Sequence, residues 1–340
     1  MRRLKILATA LLVSASGVRA DVPNVVVDIP PVFSLVSSVM QGVGTPKLLL
    51  RGNESPHNFA LRPSQRRDLG QADIIFWIGE GLTPWLEKAQ ASLTQTPISV
   101  ALGEQTGVVQ LSFREGAFFE NHDDHDGHDG RGEVNGHTEH NRAETHENAA
   151  AHDGKDHQDH AGHDHAGLDP HFWLDPENAI HWIYTIADIL SQKDPENAGA
   201  YYANATRTKA SLELLNKNIA QQLAPHRAER FLIVHDAFQY FEARFGLAAQ
   251  GAISDGHAAP PSAARILAIR KLMQDQKISC VFAEPGYNAK LLDNLISETS
   301  VRLKQLDPLG AGLPLDHTLY EAVLQNMADT MVACFTNNEG

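Results

Sequence analysis

Short apolar runs alternate with amphipathic segments along most of the chain. In the first third, apolar runs predict buried strands at 24–29, 47–51, 72–78 and 98–101. Helical periodicity between those runs predicts helices at 32–41, 64–71 and 84–91. Ser64 is the predicted N-cap of the second helix. This alternation is typical of βα units that build a mainly parallel sheet.

The second half of the chain repeats the alternation after two long helices. Amphipathic periodicity predicts one helix at 178–191 and a longer one from about Pro195 to Leu223. At about 28 residues and 1.5 Å per residue, the longer helix would span some 40 Å, the width of a small domain. Further predicted strands lie at 231–234, 278–283 and 301–306. Further predicted helices lie at 237–245, 262–276, 290–299 and 320–335.

The order of these elements predicts an α/β protein of two lobes with mainly parallel sheets, joined by the long helix. We expect the first lobe to cover 21–194, the linking helix 195–224 and the second lobe 225–340. Residues 1–20 are predicted to be a signal peptide, because a basic start, an apolar run and a small-residue cleavage site follow one another. The alternative is a buried N-terminal helix.

The predicted signal peptide places the mature protein in the periplasm. We expect no lipid anchor, since no cysteine lies near the cleavage site, and no later apolar run is long enough to span a bilayer. In an oxidising compartment the two cysteines, Cys280 and Cys334, predict one disulfide. The formal net charge of −14 argues against a nucleic-acid partner.

Residues 115–167 are dense in histidine, acidic residues, glycine and asparagine, and large apolar residues nearly vanish after Phe119. Such a composition predicts a mobile loop. Imidazoles interleaved with carboxylates predict weak binding of divalent metals, with a merely solvated acidic loop as the alternative. Eleven of the chain's 18 histidines lie here: His122, His125, His128, His137, His140, His146, His152, His157, His160, His163 and His165.

Three other histidines lie in predicted loops of the ordered parts. His57 and His235 follow apolar strands, and His171 lies between Pro170 and an aromatic pair. Asp307 also follows a predicted strand. Ligands of open α/β sheets gather at the carboxyl ends of strands, so we expect these four residues in a cleft between the lobes. Taken alone, His171 would more commonly be a histidine packed in a turn than a ligand.

Four motifs in this order resemble the zinc-specific solute-binding proteins of ABC transporters, a branch of the metal-binding cluster A-I family. The motifs are residues 55–64 (SPHNFALRPS), 169–176 (DPHFWLDP), 234–241 (VHDAFQYF) and 306–310 (LDPLG). The acidic histidine-rich loop before the second motif is a further mark of the zinc branch. The resemblance covers essentially the whole mature chain. It implies two βα-sandwich lobes, bridged by a rigid helix, with one metal ion between them.

The resemblance implies one tight Zn²⁺ site made by His57, His171 and His235. The fourth ligand would be Asp307 or water, with Glu284 near the same sheet edge as an alternative. Three imidazoles suit Zn²⁺ better than Mn²⁺, which prefers oxygen ligands, so a manganese-specific protein is less expected. Asp236 and Asn58 are candidates for orienting the imidazoles.

The implied function is periplasmic zinc capture and delivery to an inner-membrane ABC permease, and through it to the ATPase. We expect a monomer without enzymatic activity. One alternative is a zinc hydrolase, which would need a general base that no motif supplies. Another is a periplasmic zinc buffer or chaperone that acts without a transporter.

Overall fold

A computed structural model describes residues 22–52, 54–114, 118–119, 167–254, 261–297 and 299–337 of the chain. The predicted signal peptide and the eleven histidines of the histidine-rich segment lie outside these residues. Within the described part, every helix is either too short or too polar to traverse a lipid bilayer.

The first sheet has four parallel strands in the order β2-β1-β3-β4. These strands are β1 (Val25–Val27), β2 (Lys47–Leu48), β3 (Ile74–Trp77) and β4 (Ile98–Ala101). The helices between them are α1 (Pro30–Val39), α2 (Pro63–Gly70) and α3 (Pro84–Gln90), each with proline in its first turn. Proline suits that position because the first helical amides have no partner inside the helix. This sheet and its helices form the first lobe.

Two helices connect the sheets. Helix α4 (Pro176–Lys193) begins at Asp175, whose side chain accepts a hydrogen bond from the amide of Glu177. Helix α5 (Ala198–Leu223) is the predicted long helix, and a short 3₁₀ turn precedes it. Helix α5 packs against α1 and α4 as well as elements of the second half, so it supports both lobes.

The second sheet repeats the topology of the first, with four parallel strands in the order β6-β5-β7-β8. Its strands are β5 (Phe231–Ile233), β6 (Ala249–Ala252), β7 (Cys280–Ala283) and β8 (Arg302–Gln305). Its helices are α6 (Gln239–Phe245), α7 (Ala263–Asp275), α8 (Ala289–Ile296) and α9 (Leu319–Phe335). This sheet and its helices form the second lobe, and the predicted α/β class is confirmed.

Strand periodicity divides the apolar side chains among three clusters. Phe231 and Ile233 of β5 point into the largest cluster, whereas Leu232 points into a smaller one on the outer face of the second sheet. In β1, Val25 and Val27 join the same large cluster, and Val26 joins a third one. Successive strand residues face opposite sides of a sheet, so the central strands of each sheet are buried on both faces. Because the large cluster contains residues of both lobes, one apolar core holds them together.

Two details of the predicted elements are wrong. The first helix turn of α2 starts one residue earlier than expected, with Arg62 instead of Ser64 at the N-cap. The side chain of Gln65 accepts a hydrogen bond from the Arg62 amide, and Pro63 takes the first helical position. Strand β6 was not predicted, since its sequence AQGA lacks the bulky residues that signal a strand.

The predicted disulfide is present. It joins Cys280 at the start of β7 to Cys334 near the end of α9. Both cysteines are fully buried, so the bond fastens the last helix to the inner face of the second sheet.

Candidate metal centre

His57 lies in the loop between β2 and α2, at the carboxyl end of the first sheet. The indole nitrogen of Trp85 in α3 donates a hydrogen bond to the Pro56 carbonyl (2.7 Å). The rings of Trp85 and Phe59 also pack together, with centroids 5.1 Å apart. These contacts fix the loop on both sides of the histidine.

His171 lies at the start of a 3₁₀ turn that leads into α4, and it is only 3% exposed. Asp169 holds it through two hydrogen bonds to the same carboxylate oxygen. The backbone amide of His171 lies 3.0 Å from Asp169 Oδ1, and the ring Nδ1 lies 2.7 Å from it. The ring of Trp173, one of the aromatic pair that follows His171, packs beside the imidazole, with ring centroids 5.3 Å apart.

His235 comes from the second lobe, two residues after β5, and is 8% exposed. Its Nδ1 lies 2.7 Å from Glu284 Oε1, and Glu284 directly follows the adjacent strand β7. The connections from β5 and β7 leave toward opposite edges of this sheet. His235 and Glu284 therefore occupy the crevice where ligands of α/β sheets commonly bind.

The structure brings the three predicted histidines together. One ring nitrogen from each of His57, His171 and His235 lies within 4.8 Å of the others. The three ring centroids are 5.3–5.7 Å apart. They line a cleft of about 470 Å³ between the carboxyl ends of the two sheets. Tetrahedral zinc with Zn–N distances of about 2.0–2.1 Å holds its nitrogen ligands roughly 3.4 Å apart, so small movements of the rings would let all three bind one ion.

The hydrogen bonds of two histidines determine which ring nitrogen is available to a metal. An ionised carboxylate can only accept hydrogen bonds, so Nδ1 of His171 and Nδ1 of His235 carry the proton in neutral imidazole. The lone pair of Nε2 is then free to bind a cation. Carboxylates in this position commonly orient metal-binding histidines and increase their basicity.

Burial and charge act in opposite directions on His235. Burial lowers the pKa of its imidazole, but the carboxylates of Glu284, Asp236 and Asp169 together raise it more, so the pKa lies above its ordinary value. Burial raises the pKa of Glu284, but His235 and His171 together outweigh that effect, so the pKa lies below its ordinary value. The pair therefore favours an ionised Glu284, which the tautomer of His235 requires.

Asp307 lines the same cleft, but its carboxylate is already engaged with the backbone. Oδ1 accepts hydrogen bonds from the amides of Leu309 (3.0 Å) and Gly310 (2.8 Å), and Oδ2 accepts one from Ala311 (2.6 Å). Among the described residues, the group whose ligand atoms converge consists of the three histidines and does not include Asp307.

The residues that orient the imidazoles differ from those expected. Asp236 pairs with Arg114, while Asp169 and Glu284 hold His171 and His235. Asp169 is two residues from its histidine, so its position in the motif was a usable signal. Glu284 is 49 positions from His235, and only the pairing of β5 with β7 brings them together. The role of Asn58 stays a prediction.

Known sequences resemble the whole chain. Residues 25–334 match the family model for ZnuA, the periplasmic component A of a zinc-uptake complex. A high-affinity zinc uptake system protein ZnuA of Brucella suis is 38% identical over 332 residues, which is 97% of each chain. The protein of the same name from Paracoccus denitrificans is 38% identical over 97% of each chain. The one from Yersinia pestis is 30% identical over 96% of each chain.

Solved structures share the fold. A crystal structure of ZnuA has a TM-score of 0.67 at 23% identity and covers 91% of this chain and 99% of its own. A zinc-bound deletion mutant of ZnuA has a TM-score of 0.69 at 23% identity, with 92% and 98% covered. The solute-binding protein FpvC of Pseudomonas aeruginosa, solved with Mn²⁺, has a TM-score of 0.72 at 20% identity, with 93% and 99% covered.

Proposed function

The chain belongs to the ZnuA family of periplasmic zinc-uptake components, and we propose that it captures Zn²⁺ in the periplasm for an ABC transporter. It would deliver the ion to the inner-membrane permease, which works with the transporter's ATPase in high-affinity uptake. The observation that carries this proposal is the convergence of His57, His171 and His235 in one cleft. The chain is then a transport component and not an enzyme, and we expect it to act as a monomer.

The three histidines are the proposed zinc ligands. Two come from the first lobe and one from the second, so a bound ion would join the lobes. Nitrogen ligands favour Zn²⁺ over Mn²⁺, which prefers oxygen. The buried carboxylate of Asp169 and the partly buried one of Glu284 supply the ligand orientation that a tight site needs.

The fourth ligand remains Asp307 or water, and the hydrogen bonds favour water. Three backbone amides hold the Asp307 carboxylate in place, and a metal would have to compete with them. Substitution Asp307→Asn tests this choice. A water ligand predicts zinc affinity within about threefold of the wild type, whereas direct ligation predicts a much larger loss.

We also propose that the histidine-rich segment 115–167 binds further zinc ions more weakly. Its composition supports this, because it offers many imidazoles without an apolar core, and each ion would have to order the chain itself. Deleting residues 120–166 should reduce the zinc stoichiometry to about one and leave the tight site unchanged. If calorimetry finds the same number of bound zinc ions after the deletion, the proposal that segment 115–167 binds zinc is refuted.

The domain boundaries remain proposals as well: a signal peptide at 1–20, a first lobe at 21–194, a linking helix at 195–224 and a second lobe at 225–340. The two similar four-stranded sheets and the position of α5 support this division. Removal of residues 1–20 on export would be read directly by N-terminal sequencing of the periplasmic protein.

Single histidine substitutions test the metal site. His57→Ala, His171→Ala and His235→Ala should each weaken the tightest zinc-binding event in a competition titration by at least about 100-fold. His181→Ala is the matched control, because His181 is exposed on α4, and it should bind zinc like the wild type. Wild-type affinity in His235→Ala would refute the assignment. Growth under zinc limitation, with and without the protein, tests its role in uptake.

A further inference from the structure

The segment after β4 crosses from the first lobe to the second. Val109 is tied to the start of α4 by hydrogen bonds in both directions with the Asn178 side chain. A short antiparallel stem follows, in which Ser112 pairs with Leu168 and the amide of Asp169 donates to the Leu111 carbonyl (2.8 Å). The stem therefore belongs to the first lobe and includes the residue that holds His171.

Residues 118–119 lie on the second lobe. Phe118 forms an antiparallel bridge with Gly251, and the amide of Phe119 donates to the Gln250 carbonyl (3.1 Å). Both partners belong to β6, the edge strand of the second sheet. Between the stem and this edge lies Arg114, whose guanidinium carbon stands 3.9 Å from the centre of the Phe119 ring.

Arg114 makes a two-carboxylate ion pair across the lobes. Its Nε lies 3.0 and 3.1 Å from the two oxygens of Asp236, which also pairs with Nη2. Its Nη1 and Nη2 donate to the two oxygens of Glu242 at 2.8 and 3.0 Å. The three side chains are 17%, 18% and 3% exposed, so solvent screens this network far less than a surface pair.

The network meets the second lobe beside a proposed ligand. Asp236 directly follows His235, and Glu242 lies in α6 and also accepts the backbone amide of Ala249 at the start of β6 (2.8 Å). The guanidinium of Arg114 therefore connects the first-lobe stem, the edge of the second sheet and residues 235–245, which we call the His235 segment. Arg114 does not line the cleft, so it would affect a bound metal only through these segments.

We propose that Arg114 is a positioning residue that latches the His235 segment to the first-lobe stem and thereby slows zinc release. The inference rests on the proposed function of the histidine cluster. A protein whose binding-competent arrangement is only partly populated binds its ligand more weakly by that fraction. Without Arg114, the carboxylates of Asp236 and Glu242 would be partly and fully buried without their cation, and separation of residues 235–245 from the stem would let water solvate them.

Other contacts between the lobes should keep variants of Arg114 folded. Arg244 of α6 forms a bidentate pair with Asp175 (2.6 and 2.7 Å). The Trp173 indole donates to the Pro308 carbonyl (2.8 Å), and the shared apolar core remains. Loss of Arg114 is therefore expected to change local opening more than global folding.

The test compares Arg114→Met, Arg114→Lys and the wild type, all as the full chain. Arg270→Met is the matched control, because Arg270 is exposed on α7 and donates to the Asn294 carbonyl of the same lobe. Each protein receives one equivalent of zinc, and its release to an excess of chelator is followed by stopped flow. Hydrogen exchange of the metal-free proteins reports separately on the amides of residues 235–245.

We expect Arg114→Met to release zinc about tenfold faster or more. Arg114→Lys should recover part of the loss, since lysine keeps the charge but not the fork of donors. Exchange at 235–245 should rise in metal-free Arg114→Met, and Arg270→Met should behave like the wild type. If Arg114→Met releases zinc and exchanges its 235–245 amides at the same rates as the wild type, the proposed role of Arg114 is refuted.

A second variant separates positioning from general destabilisation. Leu295→Ala removes a buried side chain from the outer cluster of the second lobe, away from the stem. If Leu295→Ala speeds zinc release as much as Arg114→Met does, the effect is one of stability and the latch is refuted. If the wild type binds no zinc while exchange at 235–245 still rises in Arg114→Met, the proposed function fails and the interlobe contact stands.

Discussion

Substitution of Asp169 by asparagine isolates the contribution of a single buried charge to zinc binding. Asp169 is 1% exposed, and its Oδ1 accepts from both the ring Nδ1 and the backbone amide of His171. Asparagine has nearly the same shape, and its amide oxygen can accept the same two hydrogen bonds. The change therefore removes the negative charge behind the imidazole and leaves the geometry in place.

The expected loss follows from the difference between charged and neutral hydrogen bonds. A hydrogen bond to a charged group contributes about 1.5–3 kcal/mol, and a neutral one about 0.5–1.5 kcal/mol. The difference of about 1–1.5 kcal/mol predicts zinc binding weaker by roughly 5–15-fold in Asp169→Asn. Asp169→Ala also frees the imidazole to rotate, and we expect a loss toward about 100-fold.

A competition titration against a chelator of known affinity measures both variants at one pH. Asp188→Asn is the matched control, because Asp188 is an exposed acid on α4 that accepts from Tyr202 instead of a histidine. Urea unfolding of the metal-free proteins checks that the fold is retained. Affinities of Asp169→Asn and Asp169→Ala within twofold of the wild type would refute the view that this carboxylate tunes His171.

Three further predictions concern pH and stability. Zinc affinity should fall as pH decreases through about 6.5, because a protonated imidazole cannot bind metal and the raised pKa of His235 lets protons compete with zinc at higher pH. A zinc affinity that does not change between pH 8 and pH 5 would contradict histidine ligation. Burial raises the pKa of Asp28 from 3.8 to about 7, so the folded protein holds this proton more tightly than the unfolded chain does. The proton therefore stabilises the fold below about pH 4, and that stabilisation is lost as pH rises from about 4 through 7. In that pH window, Asp28 should lower the unfolding free energy of the metal-free wild type by about 1.4 kcal/mol per pH unit, and Asp28→Asn should lack this decrease. If urea unfolding gives the same pH dependence for both proteins, the raised pKa of Asp28 is refuted. Replacing both Cys280 and Cys334 by serine opens a loop with a sequence separation of 54 and should cost about 4 kcal/mol of unfolding free energy, whereas unchanged stability would show that the bond adds nothing.

Much of the fold was predictable because its signals are local. Bulky apolar runs such as those of β3 and β5 identify strands buried on both faces, and the alternation with helices identifies parallel sheets. Strand β6 was missed because Ala249–Ala252 is built from small residues. Its place as a strand depends on pairing with β5, which no local pattern encodes.

In the candidate site too, residues marked by local motifs were predictable, and contacts between distant parts of the chain were not. His57, His171 and His235 were identifiable from their motifs and loop positions, and the structure brings them together. The pairing of Glu284 with His235 and that of Arg114 with Asp236 were not identified, since these partners lie 49 and 122 positions apart and only the tertiary fold joins them. Asp307 was identified as a possible ligand, but sequence could not show that its oxygens are engaged by three amides of its own loop.

The most direct test of the central claim is a crystal structure of the full chain with one equivalent of zinc, with anomalous data collected at the zinc absorption edge. We expect the strongest anomalous peak in the cleft, about 2.0–2.1 Å from one nitrogen of each of His57, His171 and His235. In His171 and His235 that nitrogen should be Nε2. A strongest peak outside the cleft, or a cleft ion that lacks any one of the three histidines, would refute the proposed zinc site.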